Sequence, residues 1–151
     1  MAKFLLILSN LAFPFAAIGV FLGFLFSARR KLLTHLIQEL KERFARETPQ
    51  DLPQNALWIH CASVGEVLSV KELINRLKAF YNKPILVTTS TAAGQETAKQ
   101  NPAIDKAVLA PLDFYPLVRS FIRKANPYRL FIVEREIWPN MLAAAQYAHI
   151  P

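Results

Sequence analysis

The sequence predicts an α/β fold in which helices cover both faces of a parallel β-sheet. Between residues 56 and 151, short and continuously apolar segments alternate with segments whose apolar residues recur at helical spacing. Continuously apolar strands are typical of a sheet buried on both faces, and strand–helix alternation favours parallel pairing. The four glycines form neither G-x-G-x-x-G nor a P-loop, so the sequence does not support a dinucleotide or ATP site of the usual kind. The predicted architecture is a Rossmann-like sheet.

The predicted elements follow one another in a regular order. The strands are predicted at Ala56–Cys61, Pro84–Thr89, Lys106–Leu109 and Arg129–Val133. The helices are predicted at Glu66–Tyr81, Gln95–Gln100, Phe114–Lys124 and Pro139–Tyr147. The spacing in the first helix predicts one apolar face, made of Val67, Val70, Leu73, Ile74 and Leu77. Ile150 and Pro151 resemble the approach to a next strand, so the fold is expected to be unfinished.

The first 29 residues are predicted to form a membrane anchor. The run from Phe4 to Phe26 contains no charge, and as a helix it would extend about 35 Å, enough to cross a hydrocarbon core. A cleavable signal peptide is the alternative, but the run exceeds the length of a signal-peptide core and no small-residue cleavage site follows it. Arg29, Arg30 and Lys31 come directly after it. These cations predict a single pass with the folded domain facing the cytoplasm.

Residues 30–55 are predicted to form a juxtamembrane helix and a linker, and residues 56–151 form the Rossmann-like domain. The helix would cover Lys31–Glu47 and present a basic face. It could lie among lipid headgroups or pack on the domain, and its amphipathic pattern does not separate the two. The net charge of +7 includes four cations that flank the anchor, namely Lys3, Arg29, Arg30 and Lys31. The remainder of the chain therefore carries a net charge of only +3. An anionic membrane is therefore a better candidate partner than nucleic acid.

The polar segments of the predicted domain follow the carboxyl ends of its strands. They cover residues 60–66, 88–94, 110–113 and 134–140. Because active groups of parallel sheets gather beyond those ends, this edge is the predicted site. A single cysteine excludes an internal disulfide, and the three histidines lack metal-ligand spacing. Neither a metal nor a cofactor is expected.

Two of these segments resemble motifs of one enzyme family. The run WIHCASVGE, from Trp58 to Glu66, is similar to the W-I-H-A-x-S-V-G-E motif of 3-deoxy-D-manno-octulosonic acid (Kdo) transferases. The run from Pro111 to Asn140 resembles that family's order of P-x-D, one helix, N-P, a strand and E-x-E-x-W-P-N. The segment TTSTAAG departs from the family's T-x-T-x-T-G, which leaves the role of that turn open.

The resemblance implies the amino-terminal half of a GT-B type glycosyltransferase at the inner membrane. In such an enzyme this half binds the lipid A precursor, and a carboxyl-terminal half, absent from these residues, binds CMP-Kdo as donor. Transfer would invert the anomeric centre without a covalent enzyme intermediate. Residues 1–151 are therefore expected to be inactive alone. The alternative is a membrane-tethered module that binds lipid and performs no chemistry.

The resemblance also implies roles for individual residues. Glu66 would be the catalytic base, and Ser63 and Gly65 would contact substrate. The spacing of Ser63 and Glu66 is equally that of a capping box, in which Glu66 only caps its helix. His60 is expected to be a hydrogen-bonded structural histidine. Asp113 is expected first to cap the helix that follows it and only secondarily to be a site residue.

Glu134 and Glu136 are the remaining acidic candidates for substrate binding. If the fourth strand continued that far, both side chains would point to the same side of the sheet. The alternative is that they favour a helix start or pair with a neighbouring cation. The cations Arg29, Arg30 and Lys31 would contact phosphates of the lipid A precursor, although general attraction to anionic lipids explains them equally well.

Overall fold

The computed structural model describes residues 51–134 and 137–151, together with Ile7, Leu11 and Arg43. Its strands are β1 (Leu57–Cys61), β2 (Ile85–Thr89), β3 (Lys106–Leu109) and β4 (Arg129–Ile132). Its helices are α1 (Val64–Ser69), α2 (Lys71–Tyr81), α3 (Ala92–Lys99), α4 (Tyr115–Ala125) and α5 (Pro139–Tyr147). The alternation of strands and helices predicted from the sequence is therefore confirmed.

The four strands form one parallel sheet in the order β3-β2-β1-β4. Strand β1 lies in the interior, where Leu57 is opposite Ile85 of β2 on one side and Arg129 of β4 on the other. The chain thus adds strands in one direction from β1 to β3 and then returns across the sheet to place β4 on the other side of β1. The strand order reverses between β1 and β4, which is where ligands bind in open α/β sheets.

Each face of the sheet carries its own hydrophobic core. On one face, Leu57, Ile59 and Cys61 of β1 pack with Val67 of α1 and Ile74 of α2. The opposite face is covered by α4 and α5, and its core comprises Leu52, Ala56, Trp58, Leu86, Val108, Val118, Phe121, Ile122, Ala125, Met141, Ala144 and Ala145. Because alternate strand residues point to opposite faces, helices on both faces bury the whole length of each interior strand. This explains why strands β1 and β2 are fully buried.

Asparagines end two of the helices in the same way. Asn82 follows α2 with a φ of 48°, and Asn126 follows α4 with a φ of 40°. Each donates its backbone N–H to a carbonyl one turn back, on Lys78 and Ile122 respectively. Asparagine adopts this left-handed conformation more readily than most residues, so both positions act as helix stop signals.

The single helix predicted at Glu66–Tyr81 is wrong in one respect, because the structure divides it at Val70. The backbone of Val70 has φ −96° and ψ 5°, and its N–H is shared between the carbonyls of Glu66 and Leu68. Ile74 is fully buried, whereas Leu73 is half-exposed and does not belong to the predicted apolar face. Successive helical residues are rotated by about 100°, which carries Leu73 to the border of the face centred on Ile74.

The predicted membrane anchor, residues 1–29, lies outside the described residues except for Ile7 and Leu11. Most of the predicted juxtamembrane helix and linker also lies outside them, and the division at residues 29 and 55 stays a prediction. Within the part of the chain that the structure describes, no helix has both the length and the hydropathy needed to cross a bilayer.

Candidate functional site

The candidate site lies at the carboxyl ends of β1 and β4. His60 of β1 is the register partner of Ile132 of β4, and Val133 extends the pairing by donating its N–H to the His60 carbonyl at 2.9 Å. The turn that leads from Cys61 to Glu66 and the segment that starts at Glu134 therefore leave the sheet side by side. Two of the polar segments predicted from the sequence are brought together at the point where the strand order reverses.

Glu66 is held in the first turn of α1 by hydrogen bonds to both of its carboxylate oxygens. Oε2 accepts the backbone N–H of Ala62 at 2.7 Å, and Oε1 accepts the hydroxyl of Ser63 at 2.9 Å. The Ser63 hydroxyl also accepts the backbone N–H of Glu66 at 3.4 Å. The capping interaction indicated by the spacing of these residues is thus present. Each carboxylate oxygen has two acceptor positions, so both retain capacity for another donor.

The surface next to this carboxylate is left open by Gly65. Gly65 is exposed, and a Cβ built at this position would lie 3.9 Å from the Ser63 hydroxyl, an ordinary contact. Its backbone does not require glycine, because its φ is not positive. The turn therefore places an exposed residue without a side chain between Ser63 and Glu66, and its conformation would accept another residue.

Two other ionisable groups near the end of β1 are unsuited to proton transfer. Burial lowers the pKa of His60 to about 4, although the charge of Glu66 and a hydrogen bond with the Thr88 backbone act in the opposite direction. Burial, supported by the same Glu66 charge, raises the pKa of the Cys61 thiol to about 12. Both side chains belong to fully buried residues. His60 is therefore neutral and Cys61 is a protonated thiol near neutral pH.

A buried polar group behind the site was not predicted from the sequence. The Thr88 hydroxyl lies 2.8 Å from Trp58 Nε1 and 2.9 Å from His60 Nδ1, and all three residues are fully buried. The indole of Trp138 meets the His60 ring edge-on, with ring centroids 4.9 Å apart. The sequence offers no local signal for this arrangement, because the register of β1 against β2 brings the three side chains together. His60 is structural and hydrogen-bonded, as expected.

Glu134 has an unusual backbone conformation for a residue with a large side chain. Strand β4 ends at Ile132, and Glu134 has a φ of 63° with an exposed side chain. Because β4 does not continue to Glu134, strand geometry does not place Glu134 and Glu136 on the same side of the sheet. Left-handed residues other than glycine are uncommon and are found at functional sites, where surrounding contacts maintain them. Glu136 lies outside the described residues, as do Arg29, Arg30 and Lys31.

Asp113 caps a helix, but the expectation that it caps the helix following it is wrong. The helix that follows it, α4, begins after Phe114 without a side-chain cap. The Asp113 carboxylate instead accepts backbone N–H groups from Asn140 and Met141, in the first turn of α5. A tertiary contact has replaced the local cap that sequence spacing indicated.

The threonine-rich turn after β2 packs closely on the sheet. Thr91 caps α3 by accepting the Gly94 N–H at 3.1 Å, so this helix begins three residues earlier than predicted. A Cβ on Gly94 would lie 3.0 Å from the Thr91 hydroxyl and 3.3 Å from the Thr89 Cβ. A side chain at position 94 would therefore crowd the side chains of Thr89 and Thr91. Arg43 also reaches this edge, since its guanidinium donates to the Ser90 carbonyl.

The described residues offer no evident metal site, since no three of their His, Cys, Asp or Glu side chains are grouped closely enough to bind an ion. What the edge offers is one oriented carboxylate beside an open glycine. Such a carboxylate can accept a proton from a hydroxyl group that reaches it.

A protein-family model matches most of the chain. Residues 38–151 match the family model described as 3-deoxy-D-manno-octulosonic-acid transferase (kdotransferase). The chain belongs to the Kdo transferase family. The match covers both motifs, from Trp58 to Glu66 and from Pro111 to Asn140, so the resemblance found in the sequence is confirmed.

Individual relatives give the same result. The chain is 33% identical over 101 residues to a 3-deoxy-D-manno-octulosonic acid transferase of Bordetella pertussis, covering 63% of this chain and 23% of the relative. It is 32% identical over 114 residues to a probable mitochondrial enzyme of the same name from Arabidopsis thaliana, covering 73% and 25%. A bifunctional glycosyltransferase/methyltransferase of Fusobacterium nucleatum is 27% identical over 117 residues, covering 76% and 18%. The chain spans a quarter or less of the length of these relatives.

Proposed function

We propose that this chain is the acceptor-binding part of a glycosyltransferase that moves Kdo from CMP-Kdo to the lipid A precursor of lipopolysaccharide. The observation that carries the proposal is the Glu66 carboxylate, oriented by Ala62 and Ser63 where the strand order reverses. Membership of the Kdo transferase family supports the donor and acceptor classes. The chain would form part of the amino-terminal half of a GT-B enzyme, and a second half would bind CMP-Kdo.

The reaction requires a base at the acceptor hydroxyl. As the hydroxyl oxygen of the lipid A precursor forms a bond to the anomeric carbon of Kdo, the bond from that carbon to the CMP phosphate breaks. Glu66 takes the hydroxyl proton, and CMP leaves with the bonding electron pair. Displacement from the opposite side inverts the anomeric centre and needs no covalent intermediate on the enzyme. A positioned carboxylate suits this role because it removes the proton during bond formation.

Glu66 is preferred to its neighbours for physical reasons. His60 is neutral but fully buried, so a sugar hydroxyl would have to enter the core to reach it. Cys61 is also fully buried, and its raised pKa of about 12 keeps the thiol protonated. Glu66 lies at the margin, with 9% of its surface exposed beside the open Gly65. Capping and catalysis are compatible, because the capping hydrogen bonds fix the carboxylate that accepts the proton.

The acceptor would lie across the ends of β1 and β4. Ser63 and Gly65 would contact it near the base, and Glu134 and Glu136 would bind its hydroxyl groups from the neighbouring loop. Arg29, Arg30 and Lys31 would contact its phosphates at the cytoplasmic face of the inner membrane, where residues 1–29 would anchor the chain. Cations near an anionic surface favour both the phosphates and the surrounding lipids.

The test uses a chimera in which residues 38–151 replace the matching segment of the Bordetella pertussis relative. Transfer of Kdo to the lipid A precursor is measured by product mass and CMP release. Glu66→Gln should lower the rate by about 10²- to 10⁴-fold, the usual contribution of a general base. The carboxamide oxygen of Gln can still accept the Ala62 N–H, so the turn should keep its conformation.

Glu72→Gln is the matched control. Glu72 lies in α2, is exposed and pairs with Arg76 at 2.9 Å. Its loss should leave the rate within about twofold of the parent chimera, because surface pairs of this kind contribute little. A Glu66→Gln chimera as active as the parent would exclude Glu66 as the base. A folded parent chimera without transfer would count against the proposed function itself and favour a lipid-binding role.

A further inference from the structure

Asp113 and Asn140 connect the loop after β3 to the beginning of α5 through reciprocal hydrogen bonds. The Asp113 carboxylate accepts the backbone N–H of Asn140 at 3.2 Å and that of Met141 at 2.9 Å. In return, the Asn140 side-chain Nδ2 donates to the Asp113 backbone carbonyl at 2.7 Å and to its carboxylate at 3.3 Å. Asn140 is fully buried. The contact is therefore a defined clamp between two loops at the candidate site.

The clamp fixes one end of the segment 134–138. Trp138 is the residue from which α5 starts, and it has no side-chain cap of its own. The Asp113 carboxylate supplies that cap, and helix N-termini favour negative charge. The indole of Trp138 then rests edge-on against His60, at the end of β1. Through this contact the start of α5 is held close to the strand that leads to Glu66.

The other end of the segment is fixed by the sheet. Val133 donates its N–H to the His60 carbonyl, which is the last described pairing of β4 with β1. Glu134 follows in the left-handed conformation, outside any strand or helix. The sheet therefore positions Val133 and Glu134. Asp113 instead acts on the other side, where its carboxylate binds the first turn of α5 directly after Trp138.

We propose that Asp113 is a positioning residue that holds Trp138 and the start of α5 against the end of β1 for acceptor binding beside Glu66. This inference rests on the proposed function for its catalytic consequence. The placement of Trp138 itself can be measured without activity, because its indole can be observed directly. The protein contains two tryptophans, and the other, Trp58, is fully buried in the core.

The first experiment records fluorine NMR spectra of the chimera after fluorotryptophan labelling, with the resonances assigned by Trp138→Phe and Trp58→Phe. Any tryptophan contributed by the relative is first replaced by phenylalanine. Asp113→Ala should shift or broaden the Trp138 resonance and leave that of Trp58 in place. Asp105→Asn is the matched control, since Asp105 precedes the same strand β3 at its opposite end and accepts hydrogen bonds from Ile85 and Lys78. It should leave the Trp138 resonance unchanged.

The second experiment measures transfer kinetics of the same variants. Asp113→Ala should raise the KM for the acceptor by about tenfold, comparable to losing one charge-assisted hydrogen bond. The KM for CMP-Kdo and kcat should stay close to parent values, which a general loss of folding would not produce. Asp113→Asn keeps one side-chain oxygen for the Met141 N–H and should show a smaller change. It also provides the test if Asp113→Ala does not fold.

The outcomes separate the inference from the proposed function. An unchanged Trp138 resonance in Asp113→Ala, or in Asp113→Asn if only that variant folds, overturns the inference whatever the activity. A shifted resonance with an unchanged acceptor KM overturns the role in acceptor binding. If the folded parent chimera transfers no Kdo, the proposed function fails, and the fluorine spectra alone decide whether Asp113 positions Trp138.

Discussion

Lowering the pH from about 7 to about 5 should reduce the free energy of unfolding, because His60 is fully buried and its burial disfavours protonation. Burial lowers the pKa of His60 from 6.5 to about 4 in the folded state, with the charge of Glu66 opposing that effect. The unfolded chain therefore binds a proton at higher pH than the folded chain does. Stability contributed by this group is lost as the pH falls from 6.5 towards 4.

The size of the effect follows from the two pKa values. Each unit of pKa difference corresponds to about 1.4 kcal/mol, so the complete titration should cost about 3 kcal/mol. About 2 kcal/mol of that loss should occur between pH 7 and pH 5, where the unfolded imidazole is already protonated and the folded one is not. This is a large fraction of the stability of a small domain, typically about 5–15 kcal/mol.

The assay is urea unfolding followed by tryptophan fluorescence across this pH range. His60→Gln removes the titrating group, so its free energy of unfolding should change with pH by about 2 kcal/mol less than that of the parent. Ile122→Val is the control, because it should cost about 1 kcal/mol from the core without altering any titration. Carboxylates also titrate in acid, but they are common to all three proteins. Equal pH dependence in His60→Gln and the parent would refute the reasoning.

Two further predictions concern the same edge of the sheet. Thr88→Val keeps the side-chain shape but removes the acceptor 2.8 Å from the buried Trp58 N–H. It should lower the free energy of unfolding by about 1–3 kcal/mol in urea titrations, whereas Thr88→Ser should retain most of it; equal stability of Thr88→Val and the parent would contradict this. Glu134→Gly removes a Cβ from a residue with a φ of 63°. Stability should stay within about 1 kcal/mol of the parent, because relief of left-handed strain offsets glycine's entropy cost. The chimera's acceptor KM should rise, and an unchanged KM would exclude Glu134 from acceptor binding.

Much of the fold could be predicted from the sequence because its strands carry a strong local signal. Strands covered on both faces are mostly apolar, and β1 and β2 are buried along their whole length, with His60, Thr88 and Thr89 as their polar residues. The predicted strand ends differ from the structure by at most one residue, and α5 has the predicted bounds. The break at Val70 could not be predicted, since the apolar spacing continues across it. It is identified only by the backbone hydrogen bonds that Val70 makes with the preceding turn.

The contacts of the candidate site differ in the same way, because some join residues close along the chain and others join residues far apart. Ser63 and Glu66 are three residues apart, within one helical turn, so their contact could be predicted from spacing alone. Asp113 lies 27 residues from Asn140, and Thr88 lies 30 residues from Trp58. Those contacts depend on the order of the strands and on which loops leave the sheet as neighbours. The sequence by itself determined the strands, the helices and the cap at Glu66, because these depend on interactions between residues close along the chain. Only the tertiary structure decided what Asp113 caps and what lies behind His60, because parallel strands bring together residues that are distant along the chain.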